Sequence, residues 1–395
     1  MNNFLRNILD SSDEYAMITD AIKKGKKSIL ISGLLENQRI ELVDFLNRNI
    51  GRHVVITHND GEAKKVYNSL VKKGIDAVIV ESEEIRFYSV EAKDRTLEAN
   101  LVNNLFKLSK EDYEVAVISA DSLIKKYTPK SVMKLHSYDL KLGEVLDKDL
   151  FIDKLINMGY VREHKVEGVG QFSIRGGIID IFTPNFENPI RIELFDDEID
   201  SIRPFDIFTQ KSVDKIKYVK VLPARSFLYP DNIEEAANLI EKDIKKDTSE
   251  DIVYDLERIR NRIYFEGVSK YIDYFYGENT IFDYIKNVDF FVINDPNRTY
   301  DKLENIFQEF SDNYQSALEK GFAIKREGNL LLPPSYVIEK LKEYRLILNT
   351  TLTSTIKNFS TDEIVDIETR EAKVFHGKIY DFINEVKYLR SMTIM

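Results

Sequence analysis

Four runs of consecutive apolar residues recur in the first 120 positions, and between them lie segments with helical spacing. Ser28-Ile29-Leu30-Ile31-Ser32-Gly33 reads as a strand buried on both faces, and His53 to Thr57, Asp76 to Glu81 and Val115 to Ile118 repeat the pattern. Between the first two, Asn37 to Leu46 places Ile40, Val43 and Leu46 on one helical face. Asp60 is expected to cap a helix carrying Val66 and Leu70 and ending at Gly74, and Asp94 one carrying Leu97, Leu101, Leu105 and Leu108. Strands separated by helices cannot pair as hairpins. They predict a parallel sheet covered on both faces, with right-handed crossovers.

The pattern changes after about residue 135. A helix over Asp149 to Met158, closed by Gly159, precedes five closely spaced strand-like segments: Tyr160 to Val166, Gly170 to Arg175, Ile178 to Phe182, Ile190 to Phe195 and Glu198 to Phe205. The turns between them, Gly176-Gly177, Pro184-Asn185 and Asp196-Asp197, suit antiparallel hairpins, hence an inserted α+β domain. From Asn232 helices return, and Val288 to Ile293 reads as a buried strand that rejoins the first sheet. Thr299 to Lys320 is a long amphipathic helix bearing Leu303, Phe307, Phe310, Tyr314 and Leu318. Lys378 to Leu389 is another, with Ile379, Phe382, Val386 and Leu389 on one face, running into the apolar stub Met392-Thr393-Ile394-Met395. Such a stub is expected to pair within a further domain, as in a piece of a longer protein. The expected organisation is therefore multidomain α/β: 1–135, first part of the sheet domain; 136–222, the insert; 223–360, the returning segment; 361–395, linker and start of the next domain.

Composition narrows the chemistry. With no cysteine there can be no disulfide, thiolate nucleophile or cysteine-ligated metal. His53 and His58 flank a strand on opposite faces and the other three histidines are scattered, so no metal site is expected. The acidic cluster Asp196, Asp197, Glu198 and Asp200 spans a turn and a strand, which splays the carboxylates instead of converging them on an ion. A net charge of −11 favours a protein partner over bare nucleic acid, whose binders normally show a basic stripe. Without an apolar run of membrane length or a secretory leader, the expected location is the cytoplasm, with no membrane partner.

The most informative stretch runs Gly159-Tyr160-Val161-Arg162, then Val166 through Phe182, then Pro189-Ile190-Arg191-Ile192-Glu193-Leu194-Phe195-Asp196-Asp197-Glu198 through Asp206, ending at Gln210-Lys211-Ser212. In Ile190 to Phe195, period two sends Ile190, Ile192 and Leu194 to one face and Arg191, Glu193 and Phe195 to the other. Ser173 and Arg175 likewise share a face opposite Phe172 and Ile174. Arginine and aromatic side chains on one outward face suit a binding surface. On pattern alone, the alternative is a Phe195 turned inward at a bulge, with surface pairs from the arginines to Glu193 or Asp197.

This stretch resembles the domain shared by the damage-recognition helicase UvrB and the bacterial transcription-repair coupling factors. The resemblance is sharp over 159–212 and weaker elsewhere, with Pro223-Ala224-Arg225, Tyr264-Phe265-Glu266-Gly267 and Tyr271 as further landmarks. It implies a degenerate RecA-like, P-loop-type parallel sheet with an inserted α+β UvrA-binding domain, and contact with UvrA through Arg175, Arg191 and Phe195. Where UvrB carries a glycine-rich loop ending in Gly-Lys-Thr, this chain reads Gly33-Leu34-Leu35-Glu36-Asn37-Gln38-Arg39-Ile40. Gln38 replaces the glycine that lets backbone wrap a phosphate, Arg39 the lysine, and Ile40 the hydroxyl that holds magnesium. The later strand ends in Asn294-Asp295-Pro296, and a lone Asp295 stands where an Asp-Glu pair would be.

These departures match the coupling factors, not UvrB, whose tyrosine-rich hairpin also has no counterpart here. The resemblance thus implies a module with no catalytic residues and no cofactor that recruits UvrA for nucleotide excision repair. RNA polymerase and DNA would be engaged through downstream domains, where an ATP-driven translocase would lie. The alternatives are a UvrB-like ATP-dependent repair helicase and a stand-alone DNA-binding protein.

Overall fold

The computed structural model describes residue 10 and residues 12–81, 95–352, 355–369 and 378–392. Fourteen strands are present among them. They are β1 (Ser28–Ser32), β2 (His53–Thr57), β3 (Ala77–Val80), β4 (Val115–Ser119), β5 (Tyr138–Lys141), β6 (Val161–Arg162), β7 (Gln171–Arg175), β8 (Ile178–Ile181), β9 (Ile190–Phe195), β10 (Glu198–Pro204), β11 (Tyr218–Val221), β12 (Phe290–Asn294), β13 (Leu346–Thr350) and β14 (Glu363–Asp366). The main helices are α1 (Asp13–Lys23), α2 (Glu36–Asn49), α3 (Asp60–Lys72), α4 (Arg95–Lys110), α5 (Lys148–Asn157), α6 (Ile233–Asp243), α7 (Glu250–Arg260), α8 (Pro296–Glu319), α9 (Pro334–Lys342) and α10 (Ile379–Met392).

Seven strands form one sheet in the order β14-β1-β13-β12-β2-β4-β3, and every pairing in it is parallel. The apolar runs are the reason. Ile29, Ile31, Val55, Ile79, Val117, Val292 and Ile347 face one layer. Their alternates Leu30, Val54, Ile56, Val78, Ala116, Ile293 and Leu348 face the other. A strand buried on both sides can only sit between two helical layers. Each fully buried Ile or Leu contributes about 1.5–3 kcal/mol of transfer free energy. The fold is mixed α/β, with the parallel sheet accompanied by separate antiparallel ones.

Two strands of this sheet escape the sequence reading. β13 occupies a central position between β1 and β12, and β14, within the stretch expected to be linker, pairs with β1 at the edge. β14 buries Val365 but exposes Ile364, the signature of a short edge strand, and is flanked by charges. Helix starts also shift. Asn59, not Asp60, caps α3, its Oδ1 accepting from the Glu62 amide at 2.8 Å. α8 begins at Pro296, earlier than Thr299, because proline suits a first turn. The expected Asp94 cap of α4, and residues 393–395 of the stub, lie outside the described residues. On α10, Ile379, Phe382 and Val386 are exposed.

The insert is a five-stranded sheet, β10-β9-β8-β7-β6, with a two-stranded β11-β5 ribbon. Its hairpins are antiparallel as expected, but β6 shrinks to two residues and runs parallel to β7. One face packs Phe172, Ile179, Ile181, Ile190, Ile192 and Ile202 against Phe151 and Leu155 of α5. Where α5 ends, Gly159 (φ +82°) lies so close to the Arg225 side chain that a Cβ would collide with it. Arg225 in turn pairs with Glu98 of α4 at 3.0 Å, tying the insert's exit to the first domain's helices. No helix among the described residues is long and apolar enough to cross a membrane.

Candidate functional site: a paired-charge face on the insert

The face of the insert sheet opposite α5 is polar, and its registers align four side chains in one row: Ser173 opposite Asp180, Asp180 opposite Arg191, Arg191 opposite Arg203. Asp180 is the hub. Only 2% exposed, it receives Arg191 Nε at 2.7 Å, Arg191 Nη2 at 2.9 Å and Arg175 Nη2 at 2.7 Å. A buried carboxylate must be paired, and two guanidiniums satisfy both its oxygens. The next row holds Glu193, which accepts from Ser201 Oγ at 2.7 Å and from Arg203 Nη2. The Ser201 hydroxyl and then the Arg203 guanidinium hold the Glu193 carboxyl below its usual range.

The three residues expected to bind a partner all lie on this face, in unequal states. Phe195 is 76% exposed at the end of β9, so the inward alternative does not hold. Arg175 keeps 52% of its side chain exposed while one edge is fixed on Asp180. Arg191 has only 15% exposed: besides Asp180 it reaches Gln210 Oε1 at 3.2 Å and lies 4.3 Å over the Phe205 ring. Its bonds to Asp180 push its pKa further up. The arginines therefore pair with Asp180, not with Glu193 or Asp197, because β8 lies between β7 and β9. A lone acid in the apolar run Ile178-Ile179-Asp180-Ile181 was the available signal. The acidic residues Asp196, Asp197, Glu198 and Asp200 are exposed around the β9–β10 turn.

At the end of β1, where the resemblance leads one to expect a phosphate loop, the chain's own groups pair with one another. Arg39, 6% exposed at its side chain, makes a bidentate pair with Asp295 (2.6 and 2.8 Å) and donates to Thr351 Oγ1 at 2.8 Å. Amides that could cradle a phosphate donate within the chain: Gly33 to Thr350 O (3.1 Å), Leu35 to Gln38 Oε1 (3.0 Å), and Gln38 and Arg39 to Leu35 O (2.9 and 3.2 Å). Gly33 (φ +91°) is pressed against the Ile367 carbonyl, where a Cβ would collide. Ile40 packs half-buried against the core beneath α2, far from the hydroxyl chemistry that magnesium needs. The five residues Gly33, Gln38, Arg39, Ile40 and Asp295 thus lie around the β1–α2 turn and the facing end of β12, and Arg39 and Asp295 close on each other.

Within this α/β scaffold, residues 138–227 match the UvrB interaction domain. Over nearly its whole length the chain is similar to transcription-repair-coupling factors. It is 25% identical to that of Staphylococcus epidermidis (strain ATCC 35984) over 401 residues, covering 97% of this chain and 34% of that protein. The Bacillus subtilis (strain 168) protein is likewise 25% identical over 402 residues, with 97% and 34% covered, and that of Staphylococcus aureus (strain MRSA252) is 27% identical over 387 residues, with 91% and 32% covered. The chain spans about a third of the length of the curated relatives it matches, and that third is their N-terminal one.

Proposed function

We propose that this chain is a non-catalytic docking module that recruits UvrA, and so couples nucleotide excision repair to stalled RNA polymerase. The observation that carries the reading is the β9 face within the UvrB interaction domain, where Phe195 and the outer edge of Arg175 stand ready for a partner while Asp180 holds the guanidinium still. An arginine fixed in advance loses less side-chain entropy on binding, so more of its contact energy appears as affinity. In this reading Arg175 and Phe195 make the contact and Arg191 braces it.

The same reading assigns no ATP chemistry to this chain, and the Arg39–Asp295 ion pair beside the turn after β1, where the resemblance expects a phosphate loop, supports it. In this reading any contacts with RNA polymerase and DNA, and a translocating motor, would lie in the two thirds of the relatives' length outside the matched segment.

The test is calorimetric titration of this chain with UvrA. Arg175→Ala and Phe195→Ala should each weaken binding by about 2 kcal/mol, the scale of an interface hot spot. Phe195 is solvent-facing, so Phe195→Ala should unfold at the wild-type denaturant concentration, whereas Arg175→Ala leaves Asp180 to Arg191 alone and should unfold somewhat earlier while keeping the wild-type circular dichroism. Unchanged affinity in both would remove the site assignment. An Arg175→Ala/Arg191→Ala double variant adds loss of the brace and should bind no better than Arg175→Ala alone.

A further inference from the structure

Two other exposed apolar side chains border the paired-charge face, and neither packs into the insert's core. Val145 lies in the segment between β5 and α5 and forms an isolated antiparallel bridge with Glu198. Glu198 is in turn directly opposite Phe195. Residues directly opposite across strands share a sheet face, so Val145, Glu198 and Phe195 form one row. With strands about 4.8 Å apart, Val145 and Phe195 stand roughly 10 Å from each other. Val145 is 77% exposed, whereas its neighbour Leu146 is buried at 2%, so the alternation is that of a strand with one wet side.

Phe208 lies at the opposite end of β9. The segment after β10 folds into a tight loop closed by the Asp206 amide on Lys211 O (3.0 Å) and the Gln210 amide on Asp206 O (2.9 Å). Asp206 Oδ1 also accepts from the amides of Phe208 and Thr209, so the loop is built, not slack. Gln210 fastens it to the face by bonding Arg191, and Phe208 at its tip is 91% exposed. A single exposed ring is ordinary, but this one is fixed on a built loop bonded to the strip that also carries exposed Phe195 and adjoins exposed Val145, so together they make a shared apolar border.

We propose that the docking face extends beyond β9 to a three-point apolar footprint, Val145, Phe195 and Phe208, set around the charged strip of Arg175, Asp180, Arg191 and Glu193. It fits the surface of a folded protein with apolar recesses on either side of a carboxylate that meets the open edge of Arg175. Charge pattern favours an occupant with both signs: the strip's own acids are paired with its arginines, so the half-exposed edge of Arg175 meets an anion, while exposed Glu198 between Val145 and Phe195 meets a donor. The proposal rests on the docking reading above and takes UvrA as the occupant. It makes Val145 and Phe208 determinants of affinity that lie on segments separate from the β7–β10 hairpins.

Val145→Ser and Phe208→Ser, each in the full chain, are titrated with UvrA beside Arg175→Ala and Phe195→Ala. Both serine variants should lose affinity by about fivefold, the scale at which an interface residue counts as contributing. Their circular dichroism and urea midpoints should match wild type, because neither side chain is in the core. A loss exceeding about twofold in both supports the footprint. Either variant within about twofold of wild type, while Arg175→Ala and Phe195→Ala bind weakly, overturns the footprint and leaves the docking reading standing. Wild-type affinity in all four overturns the docking reading itself.

Discussion

Cutting the Arg39–Asp295 pair from one side should cost more than cutting it from the other, and the two exposures give the order. Arg39 is 6% exposed at its side chain and Asp295 29%. Asp295→Ala strands a guanidinium that water can barely reach, and an uncompensated buried charge costs about 4 kcal/mol. Arg39→Met keeps the packing of the stem and leaves a carboxylate that rehydrates in part, so the loss should be roughly 2 kcal/mol. Arg39 Nε already lacks a partner among the described residues, which lowers what the wild-type pair contributes and narrows that second figure further. The Arg39→Met/Asp295→Ala double variant has no stranded charge, so it should be more stable than Asp295→Ala alone. Urea unfolding followed by circular dichroism reads all three, with the midpoint shift converted through a common slope. The reasoning fails if Arg39→Met proves the costlier single change, or if the double variant loses the sum of the two.

Two further outcomes concern nucleotide and pH. Magnesium-ATP should leave the thermal midpoint unchanged, whereas a ligand present at about 100 times its Kd would stabilise by ~2.7 kcal/mol; an upward shift abolished by Arg39→Met would refute the filled-loop account. Stability against pH should reveal two opposed buried groups. Burial pushes the Glu327 carboxyl up to about 7, with Lys270 opposing and Asp255 reinforcing the shift, so its contribution is full below pH 4.5 and is lost as pH rises to 7. Burial takes His53 down to about 4, against a weaker opposing bond to the Gly51 carbonyl, so its contribution is present above pH 6.5 and is lost as pH falls towards 4. Each is worth about 3 kcal/mol, and in wild type they offset between those limits. Glu327→Gln should unmask a stability that rises with pH across that window, and a flat profile in that variant would refute the His53 assignment.

The parallel sheet was legible because its strands are buried on both faces, which leaves runs such as Ser28-Ile29-Leu30-Ile31 and Val115-Ala116-Val117-Ile118 that a surface strand could not tolerate. β13 and β14 were not: β13 is buried throughout, but polar Asn349 and Thr350 cut its apolar run to three residues, and β14, an edge strand, buries only Val365 and carries charges at its ends. The alternation in β9 fixed which side chains share the outward face, because period two is a local property of extended backbone. Which charges meet across that face was not local. Asp180 reaches Arg175 and Arg191 only because β8 is hydrogen-bonded between β7 and β9, and the register that brings them level is set by the hairpins.

The phosphate-loop position divides in the same way. That Gln38, Arg39 and Ile40 stand where the resemblance expects Gly-Lys-Thr is read from the residues themselves. That Arg39 turns inward to grip Asp295, 256 residues away along the chain, was decided by the adjacency of β1, β13 and β12 in the folded sheet. Local sequence determines which way a side chain faces along its own strand or helix. Only tertiary structure determines what stands opposite, because charge pairing depends on distance in space, which the order of residues does not contain.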